Sequence, residues 1–162
     1  MKFFTTAMDL EKQTETYYLE LANKCASNEG LKNILNMLAG DHAQHFAKFL
    51  EMRDDSCSEM PATDAFHQTV VYFKQLKEKK ENFRCDIEQV NMYKKAKELV
   101  QKKLDFYSDS VDKIECSQNK ALVEEIIEEE KKHLLVLNNL IELLERPDSW
   151  VENAEFFHLD TY

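Results

Sequence analysis

The chain has 162 residues, with 21 Lys or Arg against 31 Asp or Glu and a formal net charge of −10. Two glycines and two prolines are too few for the tight turns of a β-sandwich or barrel. They also exclude a phosphate-binding or dinucleotide-binding glycine loop, which needs several glycines close together. The acidic balance argues against a nucleic-acid partner, which is met by a basic stripe. An acidic, all-α domain remains, long enough to bury a real core.

The start, Met1-Lys2-Phe3-Phe4-Thr5-Thr6, runs straight into Asp9 and Glu11 and does not read as a signal peptide. No run approaches the roughly 20 apolar residues that span a bilayer, so no membrane partner is expected. Cys25, Cys57, Cys85 and Cys116 form no Cys-x-x-Cys pair. They read as reduced thiols, and the expected location is cytoplasmic.

Taken in order, the first helix is predicted over about 6–27, with Thr6-Ala7-Met8-Asp9 as a capping box. The second runs over about 30–53, capped by Ser27 or Asn28. Residues 54–66 read as a loop, followed by a short amphipathic stretch over 70–80. Asp86-Ile87-Glu88-Gln89 reads as a second capping box and opens a third helix that ends near Cys116. Ser117 is expected to cap the fourth, which continues to about Leu144 and is stopped at Arg146-Pro147. A short helical tail follows over 145–162, carrying Trp150, Phe156 and Phe157.

Short links make each consecutive pair an antiparallel hairpin, over about 6–53 and 86–144. The intervening 54–85 can cross the length of a bundle, which gives a four-helix bundle with a crossover connection. The hairpins also repeat. Ala7-x-Asp9-Leu10 … Tyr17-Tyr18 returns as Ala96-x-Glu98-Leu99 … Phe106-Tyr107, and His45 returns as His133. Whatever lies at the centre should therefore draw on both halves.

Polar residues interrupt the apolar stripes. The first helix places Glu11 and Glu15 among Phe4, Met8, Tyr18, Ala22 and Cys25. The second places His42 and His45 among Leu35, Leu38 and Phe49. The third reads Tyr93, Val100, Leu104, Tyr107, Val111, Ile114. The fourth places Glu130 and His133 among Val123, Ile126, Leu137, Leu140 and Leu144. A buried carboxylate is costly unless it is paired or bound to metal. Counted from the turns at ~1.5 Å per residue, these groups share one level. Carboxylates and imidazoles converging in a dry bundle suit iron, manganese or zinc. His67 and His158 lie outside the stripes and read as surface residues.

Glu130-Lys131-Lys132-His133, Glu11 seven residues before Tyr18, and the repeated hairpins resemble the ferritin-like superfamily, and most nearly its rubrerythrin-like branch. The tail from Leu144 through Trp150 to His158 resembles short stand-alone members, without a rubredoxin domain. The resemblance implies a ferritin-like bundle and a di-iron centre, with a Glu from each of helices one and three and a Glu-x-x-His from each of helices two and four. It also implies peroxide or oxygen as substrate, an external electron donor and a homodimer. Carried across, it assigns Glu11, His45, Glu130 and His133 as metal ligands, with Tyr18 and Tyr107 hydrogen-bonding the ligating carboxylates.

Two positions depart from the pattern. His42 stands where helix two would carry Glu, and Val100 stands at the helix-three Glu; Glu98 falls on another face. The set becomes Glu11, His42, His45, Glu130 and His133, with Glu15 as a further candidate. That loss of charge predicts weakened or lost occupancy at one of the two metal positions. The expected cofactor is iron, as one or two ions, with zinc or manganese also compatible. The reading is of a peroxide- or oxygen-related oxidoreductase with a depleted di-iron site; the alternative is a metal-poor scaffold or interaction module. A hydrolytic single-metal site ranks last, because no general base is evident.

Overall fold

The computed structural model describes residues 2–25, 27–54 and 87–146. Among them are four long helices: α1 (Lys2–Lys24), α2 (Glu29–Arg53), α3 (Ile87–Ser110) and α4 (Ser117–Glu145). A single 3₁₀ turn, Val111–Lys113, follows α3, and the described residues include no strand. No described helix is long and apolar enough to cross a membrane. The predicted amphipathic stretch over 70–80, the capping box at Asp86, the tail after Arg146, and His67 and His158 lie outside the described residues.

Cross-helix contacts fix the directions. Cys25 meets Tyr93 while Tyr107 meets Glu11, so α1 and α3 are antiparallel. Glu11 meets His42 while Phe3 meets Phe49, so α1 and α2 are antiparallel too. Lys94 pairs with Glu145 while Lys103 pairs with Glu130, which makes α3 and α4 antiparallel. Helices α2 and α3 therefore run the same way, and residues 54 and 87 lie at opposite ends of the bundle, as the crossover topology requires.

Helix boundaries depart from the sequence expectation where tertiary packing outweighs capping signals. Helix α1 begins at Lys2, so Thr6 lies within it and caps nothing. The cause is aromatic packing: Phe3 stacks on Phe106 and meets Phe49 and Tyr107 edge-on, while Phe4 leans on Phe49. Of the two candidates for capping α2, Asn28 does so, its side chain accepting from Leu31 N at 3.1 Å. Helix α3 ends at Ser110 rather than near Cys116, because the chain tightens into the 3₁₀ turn that buries Val111. Ser117 is the first residue of α4; the cap position is Cys116, whose carbonyl accepts from Lys120 N.

The core divides into two apolar clusters. One gathers Tyr18, Leu21, Leu35, Leu38, Val100, Leu137 and Leu140. The other gathers Ala7, Phe49, Met52, Tyr107, Val123 and Ile126. Between them, in sequence on every helix, falls a buried polar layer of Glu11, His42, His45, Lys103, Glu130 and His133, none more than 1% exposed. Two dry cores thus seal a charged layer from water, and interactions there are strengthened by the low local dielectric.

Candidate metal centre

Each polar side chain is set by the stripe it interrupts. His42 and His45, three apart on α2, project to the same side of the helix, as do Glu130 and His133 on α4. Glu11 enters from α1 one turn beyond Ala7. Lys103 enters from α3, between Val100 and Tyr107 on the same inward stripe, which includes the buried Ala96.

Four ligand atoms converge. Glu11 Oε2 lies 2.8 Å from His42 Nδ1, and His42 Nδ1 lies 3.4 Å from Glu130 Oε1. His45 Nδ1 lies 3.2 Å from Glu130 Oε1 and 3.7 Å from Glu11 Oε2. Glu11, His42, His45 and Glu130 form a group whose ligand atoms all lie within 4.8 Å of one another. Ligand bonds of about 2.0–2.1 Å in a tetrahedron place neighbouring ligand atoms about 3.3 Å apart, and the separations here scatter around that value. The set has the size of a shell around one ion. Both ring nitrogens of His45 and Nε2 of His42 have no hydrogen-bond partner among the described residues, nor has Glu130 Oε2. Buried polar atoms are normally satisfied, so these orphans mark a place where a ligand is wanted.

His133, expected in the same shell, adjoins it. Its Nε2 faces Asp41 Oδ2 at 3.1 Å, and its unpartnered Nδ1 lies 3.9 Å from Glu130 Oε2. A carboxylate that takes the proton of one ring nitrogen leaves the other as the ligand atom and fixes the ring. Asp41, Glu129 and His133 also form a metal-sized group of their own. Glu15 takes no part: it is half-buried and pairs with Lys12 at 2.8 Å. Glu98 is exposed, and Val100 is fully buried in an apolar cluster.

The two tyrosines divide the role expected of both. The Tyr107 hydroxyl donates to Glu11 Oε1 at 2.5 Å. Tyr18 instead lays its ring flat on His42, with centroids 5.2 Å apart and planes 5° from parallel, and its hydroxyl has no partner among the described residues. Tyr18 therefore orients an imidazole and makes no hydrogen bond to a carboxylate. Burial and the nearby carboxylates raise the pKa of both phenols well above the usual value, so both remain protonated.

Lys103 is the residue that the sequence reading passed over. Its ammonium is fully buried and lies 2.9 Å from Glu11 Oε2, 2.8 Å from Glu130 Oε1 and 2.9 Å from His42 Nδ1. Burial, the largest influence, would raise the Glu11 carboxyl, but the Lys103 charge together with hydrogen bonds from His42 and His45 outweighs it and holds Glu11 far below the ordinary carboxylate range. Glu130 is lowered by the same balance. Burial likewise opposes charge on His45, yet the two carboxylates win and raise it to about 9. A signal for Lys103 existed in its spacing, three after Val100 and four before Tyr107. Lysine's ordinary preference for water hid it.

Charge tests the fit to metal. With the imidazoles neutral, as metal ligands must be, Glu11, Glu130 and Asp41 contribute three negative charges and Lys103 one positive. One divalent ion would bring the layer to neutrality, whereas two would leave it doubly positive inside a dry core, at high cost. On that balance the fully buried layer suits a single ion better than a pair.

A family model described as Rubrerythrin matches residues 2–141. No curated protein matches the chain, and no solved structure does.

Proposed function

Because the chain belongs to the rubrerythrin family, we propose that its buried centre holds one transition-metal ion, iron first, for reaction with peroxide or oxygen. The observation that carries this reading is the shell of Glu11, His42, His45 and Glu130, spaced for one ion and left with orphaned imidazole nitrogens. When bound, iron would supply one-electron redox chemistry toward a small oxidant.

The surrounding residues serve that chemistry by position. Tyr107 holds Glu11 by its hydroxyl, Tyr18 holds the His42 ring by stacking, and Asp41 holds His133 with Nδ1 directed at Glu130. The apolar clusters above and below exclude bulk water and any large substrate. The electrons would come from an external donor.

The test is anaerobic loading with ferrous iron, then mixing with peroxide. An optical change in the loaded protein that is lost in His45→Ala supports the reading. No iron uptake, together with a melting temperature indifferent to chelator, would return the chain to the scaffold class. The observation favouring that second reading is Lys103, which already neutralises part of the buried charge.

A further inference from the structure

We propose that the Lys103 ammonium is the resident cation of the metal-free centre, and that a metal ion must displace it from His42 in order to bind. This deepens the single-ion reading above and rests on it.

The ammonium has three N–H groups and no acceptor. Three shell atoms surround it at 2.8–2.9 Å: Glu11 Oε2 and Glu130 Oε1, which accept, and His42 Nδ1, which accepts in the tautomer that carries its proton on Nε2; they come from three different helices. All three atoms also belong to the metal-sized shell. A carboxylate oxygen has more than one lone pair and can serve a lysine and a metal together. An imidazole nitrogen has one. With its proton on Nε2, His42 has only Nδ1 as a ligand atom and cannot accept from Lys103 and ligate a metal at the same time; the ammonium also stands among the same three shell atoms that a metal would need, so the two cations compete for one place.

Position supports the same conclusion. Val100, where the resemblance implied a carboxylate, is sealed in the apolar cluster and contributes no charge. One turn on, Lys103 brings the opposite sign to the carboxylates of α1 and α4. Helix α3 thus offers a cation to the centre where the family pattern offers a metal-binding anion. A lysine buried only for packing would gain nothing from three shell atoms at hydrogen-bonding distance, and desolvating it without them would cost several kcal/mol. The centre is self-assembled without metal, and any loading starts from that occupied state.

Lys103→Met keeps an unbranched side chain one atom shorter and removes the charge. Zinc(II) is the probe, titrated calorimetrically into the chelator-treated full chain and into the variant. Without metal the variant should melt below the parent. It should bind zinc at least about tenfold more tightly, because loading no longer breaks charge-assisted hydrogen bonds, and zinc should raise its melting temperature by more than the parent's.

Equal affinity in the two proteins, a gain below about tenfold, or weaker binding in Lys103→Met would overturn the displacement while leaving single-metal binding intact. Failure of both proteins to bind zinc would overturn the metal reading itself. A measurement on the unaltered chain does not depend on the variant folding. The buried Lys103 ammonium should give a slowly exchanging Nζ–H resonance that shifts when zinc saturates the site. The same resonance unmoved at saturation would refute the proposal.

Discussion

Tyr107→Phe removes one hydroxyl and leaves the ring. The ring keeps its neighbours, with centroids 5.3 Å from Phe49 and 6.1 Å from Phe3. What is lost is the donor to Glu11 Oε1, 2.5 Å away on a fully buried carboxylate that Lys103, His42 and His45 together hold ionised. A hydrogen bond to a buried charge contributes about 1.5–3 kcal/mol. With a urea slope of about 2 kcal/mol/M for a chain of this size, the midpoint should fall by about 0.7–1.5 M. The assay is urea unfolding of the metal-free protein at pH 7, followed by far-ultraviolet circular dichroism. Tyr18→Phe is the matched comparison, because that hydroxyl is buried with no hydrogen-bond partner among the described residues. Losing it should be neutral or stabilising, within about 0.5 kcal/mol. Equal losses in the two variants, or a Tyr107→Phe midpoint indistinguishable from the parent, would refute the division of roles between the tyrosines.

Four further outcomes follow. In the metal-free protein His45 is raised to about 9 against 6.5 in the unfolded chain, so its contribution is full below about pH 6.5 and disappears as pH rises through 9. The stability difference between the parent and His45→Gln should therefore shrink from pH 6 to pH 10, which thermal melts across that range will read. Leu137→Ala opens a cavity at a fully buried position beside the polar layer and should cost about 2–5 kcal/mol in urea unfolding. Asn28→Ala removes the cap on Leu31 N and should cost about 1 kcal/mol in the same assay, whereas Thr6→Ala, inside α1, removes no cap. Val100→Glu places a carboxylate in an apolar cluster and should lower the melting temperature of the metal-free protein, read by circular dichroism.

Much of this architecture is legible from residue spacing alone. The stripes on α2 and α4 are buried residue for residue, including His42, His45, Glu130 and His133, because a 3.6-residue period leaves little choice of face. Glu11 is found on the same ground. Helix ends are less legible: Phe3 and Phe4 extend α1 through contacts with α2 and α3, and such contacts are not local in sequence. Asp41, buried against His133, lies beside the α2 stripe and becomes visible only when α4 is in place.

Lys103 was illegible for a different reason. A search for metal ligands looks for groups that donate electron pairs, so a lysine in the stripe is discounted in favour of its neighbour Leu104. In three dimensions it meets Glu11, Glu130 and His42 at 2.8–2.9 Å. The departure at Val100 was read as a loss of charge from the centre; the structure adds a gain of opposite charge one turn away. Both changes push in the same direction, toward fewer metal ions.

The number of metal ions per chain tests the central claim most directly. Elemental analysis after anaerobic loading with excess ferrous iron and removal of the unbound metal should find one ion per chain. Two ions per chain would contradict the charge balance that Lys103 imposes on Glu11 and Glu130.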